Sequence, residues 1–322
     1  MTETANRVGQ TTYQGATPLQ CLMCGGFRYR PIFNEGGIDI LRCRECHHVF
    51  SSFPADAHYD GFWGEEVAEG DHAYWKTART RMYQDFIKGF LVGRSGRLLD
   101  MGCGLGFFLK IVAPQANWEA YGCEISPAAV RYARETLGLT NVICARLDEV
   151  DLPPSSFDLV TMWDVIDHIP RPDPLLRRCH TLLRKGGICF IRTPNISIQL
   201  PRARLKKLLR GIQPGIAYLQ ARDHAHHYSM ACIRRLLERN GFARVQFMHL
   251  HPVQSPSGSK TWFLRGAKNM WFEAVRALAI ASGGYLNFDN LFVLAHKGSE
   301  TPELPARPLA NTCATVRSRP ST

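Results

Sequence analysis

Between Arg97 and Lys297, short apolar runs alternate with segments in which apolar residues recur every third or fourth position. The first pattern predicts buried strands and the second predicts helices packed by one face. Arg97–Met101, Trp118–Glu124, Asn141–Ala145, Phe157–Trp163 and Gly187–Arg192 read as five strands, with two more at Ala243–Leu250 and Leu291–His296. Helices are expected over Gly106–Ala113, where Phe107, Phe108, Ile111 and Val112 form an apolar face, and over Pro127–Leu137, Pro174–Leu183 and Met230–Arg239. Their ends carry the matching punctuation. Ser126 and Ser229 offer N-cap hydroxyls, Pro127 suits a first helical position, and Gly138 and Gly241 are stops. Seven strands alternating with helices predict an α/β fold built on a doubly wound, mostly parallel, seven-stranded sheet.

Outside this alternation the pattern changes. Residues 1–18 form a polar tail, 19–54 a small Cys-rich module, 55–96 a linker and helix, 97–297 the α/β domain, and 298–322 a second tail rich in Pro, Ala, Thr and Arg. The linker carries Tyr59, Phe62, Trp63, Tyr74 and Trp75 ahead of a helix expected from Lys76 to Leu91, and reads as an aromatic lid or as ordinary core. Two insertions are too long for simple turns. Residues 195–228 contain the basic, helix-like run Arg202, Arg204, Lys206, Lys207, Arg210 with Leu205, Leu208 and Leu209 between, and residues 252–285 contain Trp262, Phe263, Trp271 and Phe272. Substrate recognition is expected in these insertions.

Composition narrows the class. With 322 residues, 45% apolar, and a mean hydropathy of −0.18, the chain has the profile of a globular protein with ample core. No apolar run reaches the roughly 18 residues of a membrane span, and the polar start lacks the apolar stretch of a secretion signal, which fits a cytoplasmic protein. Seven of the 11 cysteines are isolated, as suits a reducing compartment. The net charge of +11 is local: between Arg171 and Arg244, 16 Lys or Arg face only Asp173, Asp223 and Glu238. That region is a candidate contact for RNA, for an anionic lipid surface in a peripheral attachment, or simply a solvated face.

The first strand runs into Asp100, Met101, Gly102, Cys103, Gly104, Leu105, Gly106, a glycine loop between a strand and a helix, where ligands bind. A dinucleotide fingerprint wants glycine where Phe107 stands, and Asp100 would repel a pyrophosphate. S-adenosylmethionine carries an ammonium and a sulfonium and no phosphate, so an acidic strand end suits it. Glu124 follows Gly102 by 22 residues, close to the spacing at which a carboxylate accepts from both ribose hydroxyls.

In LLDMGCGLG, YGCEIS, NVICARLDEV, SSFDLVTMWDVIDHIP and LLRKGGICFIRTPN the stretch from Arg97 to Lys297 resembles the class I S-adenosylmethionine-dependent methyltransferases. The resemblance implies that Asp100, Gly102, Cys103 and Gly104 hold the methionine part, Glu124 with Ile125 the ribose, and Leu147 with Asp148 the adenine edge. It also implies that Trp163 and Asp164 flank the sulfonium. Methyl transfer is an in-line displacement that needs alignment and a dry site, and an oxygen acceptor also needs a base. His168, His224, His226 and His227 are the candidate bases, with Asp164 close before the first. Asp164, Asp167 and His168 look like the acid, acid, histidine cluster of ubiquinone-pathway O-methyltransferases, where the resemblance implies a divalent cation. Aspartates replace the glutamates of that pattern here, which favours a structural or general-base role.

Cys21 and Cys24, then 18 residues, then Cys43 and Cys46 is the spacing of a four-cysteine zinc ribbon, a closed and structural site. Ribbons accompany RNA methyltransferases, sugar C-methyltransferases and other small-molecule enzymes of this resemblance. The reading favoured by the sequence is O-methylation of a small molecule or glycan precursor. An RNA methyltransferase would use the basic region, but an Asn-Pro-Pro-Tyr type tetrapeptide is missing after the fourth strand, where Trp163, Asp164, Val165 and Ile166 stand. A cofactor-binding scaffold without activity is disfavoured by intact Asp100, Glu124 and glycines.

Overall fold

The structure is a computed structural model that describes residues 19–21, 23–54, 78–211, 217–251 and 290–298, and, within 270–282, residues 270–271, 273–275, 277–278 and 281–282. Both tails, the linker aromatics Tyr59, Phe62, Trp63, Tyr74 and Trp75, and Trp262, Phe263 and the Phe272 side chain lie outside the described residues.

Three strands come from the Cys-rich module: β1 (Tyr29–Glu35), β2 (Ile38–Cys43) and β3 (Val49–Ser51). The α/β region supplies α1 (Thr80–Phe90), β4 (Gly96–Met101), α2 (Phe107–Val112), β5 (Trp118–Glu124), α3 (Pro127–Arg131), β6 (Val142–Cys144), β7 (Phe157–Trp163), α4 (Pro172–Leu182) and β8 (Leu183–Thr193). It continues with α5 (Ile196–Arg210), β9 (His226–His227), α6 (Met230–Arg239), β10 (Phe242–Met248) and β11 (Leu291–Lys297).

The seven-stranded sheet has the order β10-β11-β8-β7-β4-β5-β6. β6, β5, β4, β7 and β8 are parallel, and β11 runs antiparallel to β8 and β10. This is the expected doubly wound sheet. Its period-two alternation sorts the strands' side chains to two faces. Leu99, Val160, Ile191 and Val293 pack with α4 and α6 through Leu176, Cys179, Ile233 and Leu236. Their neighbours Leu98, Leu159, Phe190 and Leu294 pack with α1 and α2 through Met82, Phe86, Phe108 and Val112. The strand order reverses at β4, and at such a switch point the ligand crevice of this architecture is expected beyond the C-terminal ends of β4, β5 and β7.

One expected helix differs. α3 starts as read, with the Ser126 hydroxyl accepting from Ala129 N at 3.3 Å, but beyond Arg131 it widens into a π-turn over Tyr132–Thr136. The widened turn seats Ala133, Leu137 and Leu139 against Gly106, whose φ of 82° places it in the left-handed region. A Cβ there would lie 2.6 Å from Leu139 Cδ1, so the loop and the helix are fitted to each other.

The Cys-rich module is built into the α/β domain. β1, β2 and β3 form a sheet whose fourth strand is β9, with Val49 opposite His227 and Phe50 opposite His226. Glu35, at the end of β1, accepts hydrogen bonds from the backbone of Tyr218, Leu219 (3.1 Å) and Ala221 (2.8 Å). Ser51 Oγ donates to Ala221 O at 2.5 Å. α5 lays Ile196, Leu200 and Ala203 on Phe33, Ile40 and Val49 of the module. Long contacts of this kind leave no trace in local periodicity, and none was expected from the sequence.

Candidate active site

On the crevice's first wall, β4 ends and the chain passes through Gly102, Gly104 and Gly106 at φ of 76°, 53° and 82°. A Cβ at Gly102 would meet Val165 Cγ2 at 2.5 Å, so only glycine brings the backbone this close to the β7 turn. Glu124 closes the loop. Its Oε2 accepts from Gly104 N at 2.9 Å, and its Oε1 accepts from Ile125 N at 2.9 Å and Ser126 N at 3.0 Å. Burial pushes this carboxyl up, and the three N–H donors oppose the shift. A carboxylate offers about four lone-pair sites, so one remains for a hydroxyl donor.

Asp100 lies beneath the loop with 1% exposure, its Oδ1 accepting from Thr161 Oγ1 at 2.7 Å. Burial pushes its carboxyl up to about 7, and the nearby Glu124 charge adds to the shift. Cys103 is buried in the loop, and Leu147 is buried beyond β6. Asp148, beside it, has one-third side-chain exposure and lies 3.5 Å from Arg146 Nε. Trp163 sits among Phe190, Tyr83, Phe108 and Phe86, with ring centroids 4.6–5.3 Å apart, and its indole N–H is buried with no partner among the described residues.

Asp164 turns away from the histidines. At φ 56° it sends its carboxylate to Arg79 Nη2 at 2.6 Å and to the Arg192 guanidinium, and all three side chains are at most 10% exposed. The cluster of Asp164, Asp167 and His168 expected from the sequence is therefore corrected: two guanidinium charges claim Asp164, and His224 stands with the other pair instead. Asp167 Oδ2 lies 3.3 Å from His224 Nε2 and 3.9 Å from His168 Nε2. One ligand-type atom from each of Asp167, His168 and His224 lies within 4.8 Å of the others. Burial raises the Asp167 carboxyl, with His168 opposing. The His168 Nδ1–H donates to Asp223 O at 2.9 Å, which leaves Nε2, on the Asp167 side, as the lone-pair nitrogen of the neutral ring.

The module holds this wall from behind. His226 N donates to Asp167 O at 3.0 Å, and the His226 Nε2–H donates to Pro170 O at 3.2 Å. His226 Nδ1 is then the acceptor for His48 Nε2–H at 2.8 Å, with both rings buried. The knuckles themselves bring Cys21 Sγ to 3.6 Å from Cys46 Sγ, and Cys24 Sγ to 3.6 Å from Cys43 Sγ. Zn–S bonds of about 2.3 Å give tetrahedral sulfur edges of about 3.8 Å, so the four thiols fit a structural zinc and are too far apart for disulfides. Glu45 N donates to Cys43 Sγ at 3.4 Å, a contact that steadies a thiolate ligand.

Arg79, Arg192, His48 and the β9 pairing are the parts of the candidate site that sequence reasoning missed. Only Arg192 left a signal, a lone cation inside the apolar run of β8, which requires a buried carboxylate partner.

Comparison with known proteins agrees with this geometry. A family model described as a methyltransferase domain matches residues 74–246, over half of the chain. The ubiquinone biosynthesis O-methyltransferase of Neisseria meningitidis serogroup C is 31% identical over 117 residues, 34% of this chain and 49% of that protein. A probable S-adenosylmethionine-dependent methyltransferase of Mycolicibacterium smegmatis is 28% identical over 41% of this chain and 51% of its own. The chain thus spans about half the length of the curated relatives it matches. Among solved structures, phosphoethanolamine N-methyltransferase 2 of Haemonchus contortus, in complex with S-adenosyl-L-methionine, aligns over 71% of this chain and 57% of its own with a TM-score of 0.48 at 18% identity. By the family match and the loop, sheet and crevice described above, the chain belongs to the class I S-adenosylmethionine-dependent methyltransferases.

Proposed function

We propose that the protein transfers the methyl group of S-adenosylmethionine to an oxygen of a small molecule or glycan precursor. The observation that carries this reading is the cluster that Asp167 and His168, past the end of β7, form with His224, just ahead of β9. The cofactor supplies an electrophilic methyl group on a sulfonium. Gly102 and Gly104 admit its amino-acid part to the backbone, Glu124 accepts from one ribose hydroxyl with its remaining lone pair, and Leu147 with Asp148 border the adenine. Trp163 and the residues packed around it keep water from the transfer line.

His168 Nε2 takes the acceptor's hydroxyl proton as the oxygen attacks the methyl carbon and the carbon–sulfur bond breaks. The Asp223 carbonyl fixes the tautomer that makes this nitrogen basic, and Asp167 stabilises the imidazolium that forms. Arg79 and Arg192 hold Asp164 clear of this exchange.

The same three groups would also suit a divalent cation, since two imidazoles and one carboxylate are a common ligand set. In that reading they hold a metal that lowers the acceptor's pKa, and dialysis that strips this ion while the four cysteines keep their zinc abolishes turnover. As a general base, His168 works unchanged after that dialysis.

Incubation with methyl-labelled S-adenosylmethionine and an extract of the source cells, fractionated into RNA, protein, glycan or lipid, and small molecules, tests the proposal. Label in the small-molecule or glycan fraction, stable to nuclease, is the expected result. Label released by nuclease would overturn the acceptor class, and label at carbon would overturn the oxygen assignment.

A further inference from the structure

α5 has two faces that ask for different surroundings. Its inner face is spent on the module: Ile196, Leu200 and Ala203 are at most 4% exposed, Arg204 Nη2 donates to Ile32 O at 3.2 Å, and Lys207 Nζ stands 5.2 Å from the Phe33 ring centre. Its outer face carries Leu205, Leu208 and Leu209, exposed by 56%, 82% and 71%. Their spacing of three and four residues makes one stripe along the helix, opposite the buried one. Arg202 and Lys206, both exposed, border that stripe, and the helix contains no acidic residue.

Three adjacent leucines at this exposure, on a helix whose other face is already packed, are not a folding requirement of the chain. The charge around them selects the occupant. A nucleic-acid surface would use the cations through its phosphates and gain nothing from the leucines. A bilayer interface of anionic lipids uses both: the leucines enter the acyl boundary while Arg202 and Lys206 stay at headgroup level. No helix among the described residues is long and apolar enough to cross a membrane, so the contact is one of docking.

We propose that the outer face of α5 docks the protein on membranes containing anionic lipid. The leucine stripe supplies the apolar part of the attachment and the bordering cations its preference for negative headgroups. Electrostatic attraction is screened by salt while apolar insertion is not, so the two parts separate experimentally.

Flotation of the full-length protein with vesicles of phosphatidylcholine, alone or mixed with phosphatidylglycerol, reads the contact directly. The protein is expected to float with the mixed vesicles and to stay behind with the neutral ones. Rising salt is expected to weaken the binding without abolishing it. The triple substitution Leu205→Ser, Leu208→Ser, Leu209→Ser lowers the partition coefficient by about tenfold or more. The pair Arg202→Glu, Lys206→Glu removes the preference for the anionic mixture. Because the three leucine side chains are exposed, the serine variant retains the zinc content, cofactor affinity and melting temperature of the parent. Failure of the parent protein to float would overturn the proposal, as would equal flotation of the serine variant. So would a leucine-dependent dimer in sedimentation, or an RNA affinity that the charge pair removes, if either appears without vesicle binding.

Discussion

The two walls of the crevice are made differently. The cofactor wall is local. Its loop spans Asp100 to Gly106, and Glu124 reaches back only 20 residues to Gly104 while bonding its own neighbours Ile125 and Ser126. The acceptor wall is assembled from distant pieces: His168 is oriented by Asp223, 55 residues away, and His226 is met by His48, 178 residues away. One wall is a turn closed by its own neighbours, and the other is a junction between the α/β domain and its Cys-rich module. Removing one side chain from the first should therefore be felt at the cofactor, and removing one from the second should be felt in the chemistry.

The sharpest break between the walls is kinetic. His168→Ala is expected to lower kcat by about a thousandfold, within the range of general acid–base catalysis, while cofactor affinity by calorimetry changes less than about threefold. Equal losses in both quantities would merge the walls into one site. Glu124→Ala should do the reverse. Three backbone N–H groups lose their acceptor and the ribose loses its carboxylate, so cofactor binding weakens by about a hundredfold. An unchanged dissociation constant would remove Glu124 from the ribose.

This division also explains what could be read from the chain. Asp100, the glycines and Glu124 were legible because a strand end, a tight turn and a following carboxylate occupy short, ordered segments with characteristic residues. The strand pattern was legible for the same reason: alternation between Leu98 and Leu99, or Phe190 and Ile191, is how a sheet covered on both faces is written. The four cysteines were legible by spacing. The arginine clamp on Asp164 was not, because nothing near Asp164 in sequence says that Arg79 and Arg192 converge on it. Nor was β9: two histidines are too short a strand to show a period, and they become one only because Val49 and Phe50 lie alongside.

The module supplies the next contrast. If β3 braces β9, and β9 braces Asp167, then losing the metal should reach the acceptor wall. Elemental analysis is expected to find one zinc per chain, removed by Cys43→Ser. That variant should lose about tenfold in kcat/KM for the acceptor, the scale of a disturbed supporting contact, with cofactor affinity nearly kept. His226→Gln offers the milder version, since an amide can still accept from His48 and donate to Pro170. Intact turnover after zinc loss would make the module a passenger.

The smallest effect belongs to Asp100, and its sign is set by burial. The native carboxyl sits at about 7, well above the 3.8 of an exposed aspartate, because it is enclosed beneath the loop beside Glu124. Between these two values the native state holds a proton that the unfolded chain has released, so stability falls as pH rises through that window and levels off above it. Asp100→Asn keeps an acceptor for the Thr161 hydroxyl and carries no titrating group. In cofactor-free protein, the variant's melting temperature relative to the parent should therefore climb between pH 4 and pH 7, by a few degrees at the upper end. A gap that stays constant across that range would mean that the parent carboxyl titrates alike in both states, and that the strand end tolerates its charge. A gap that shrinks would reverse the sign and require a cation close to Asp100.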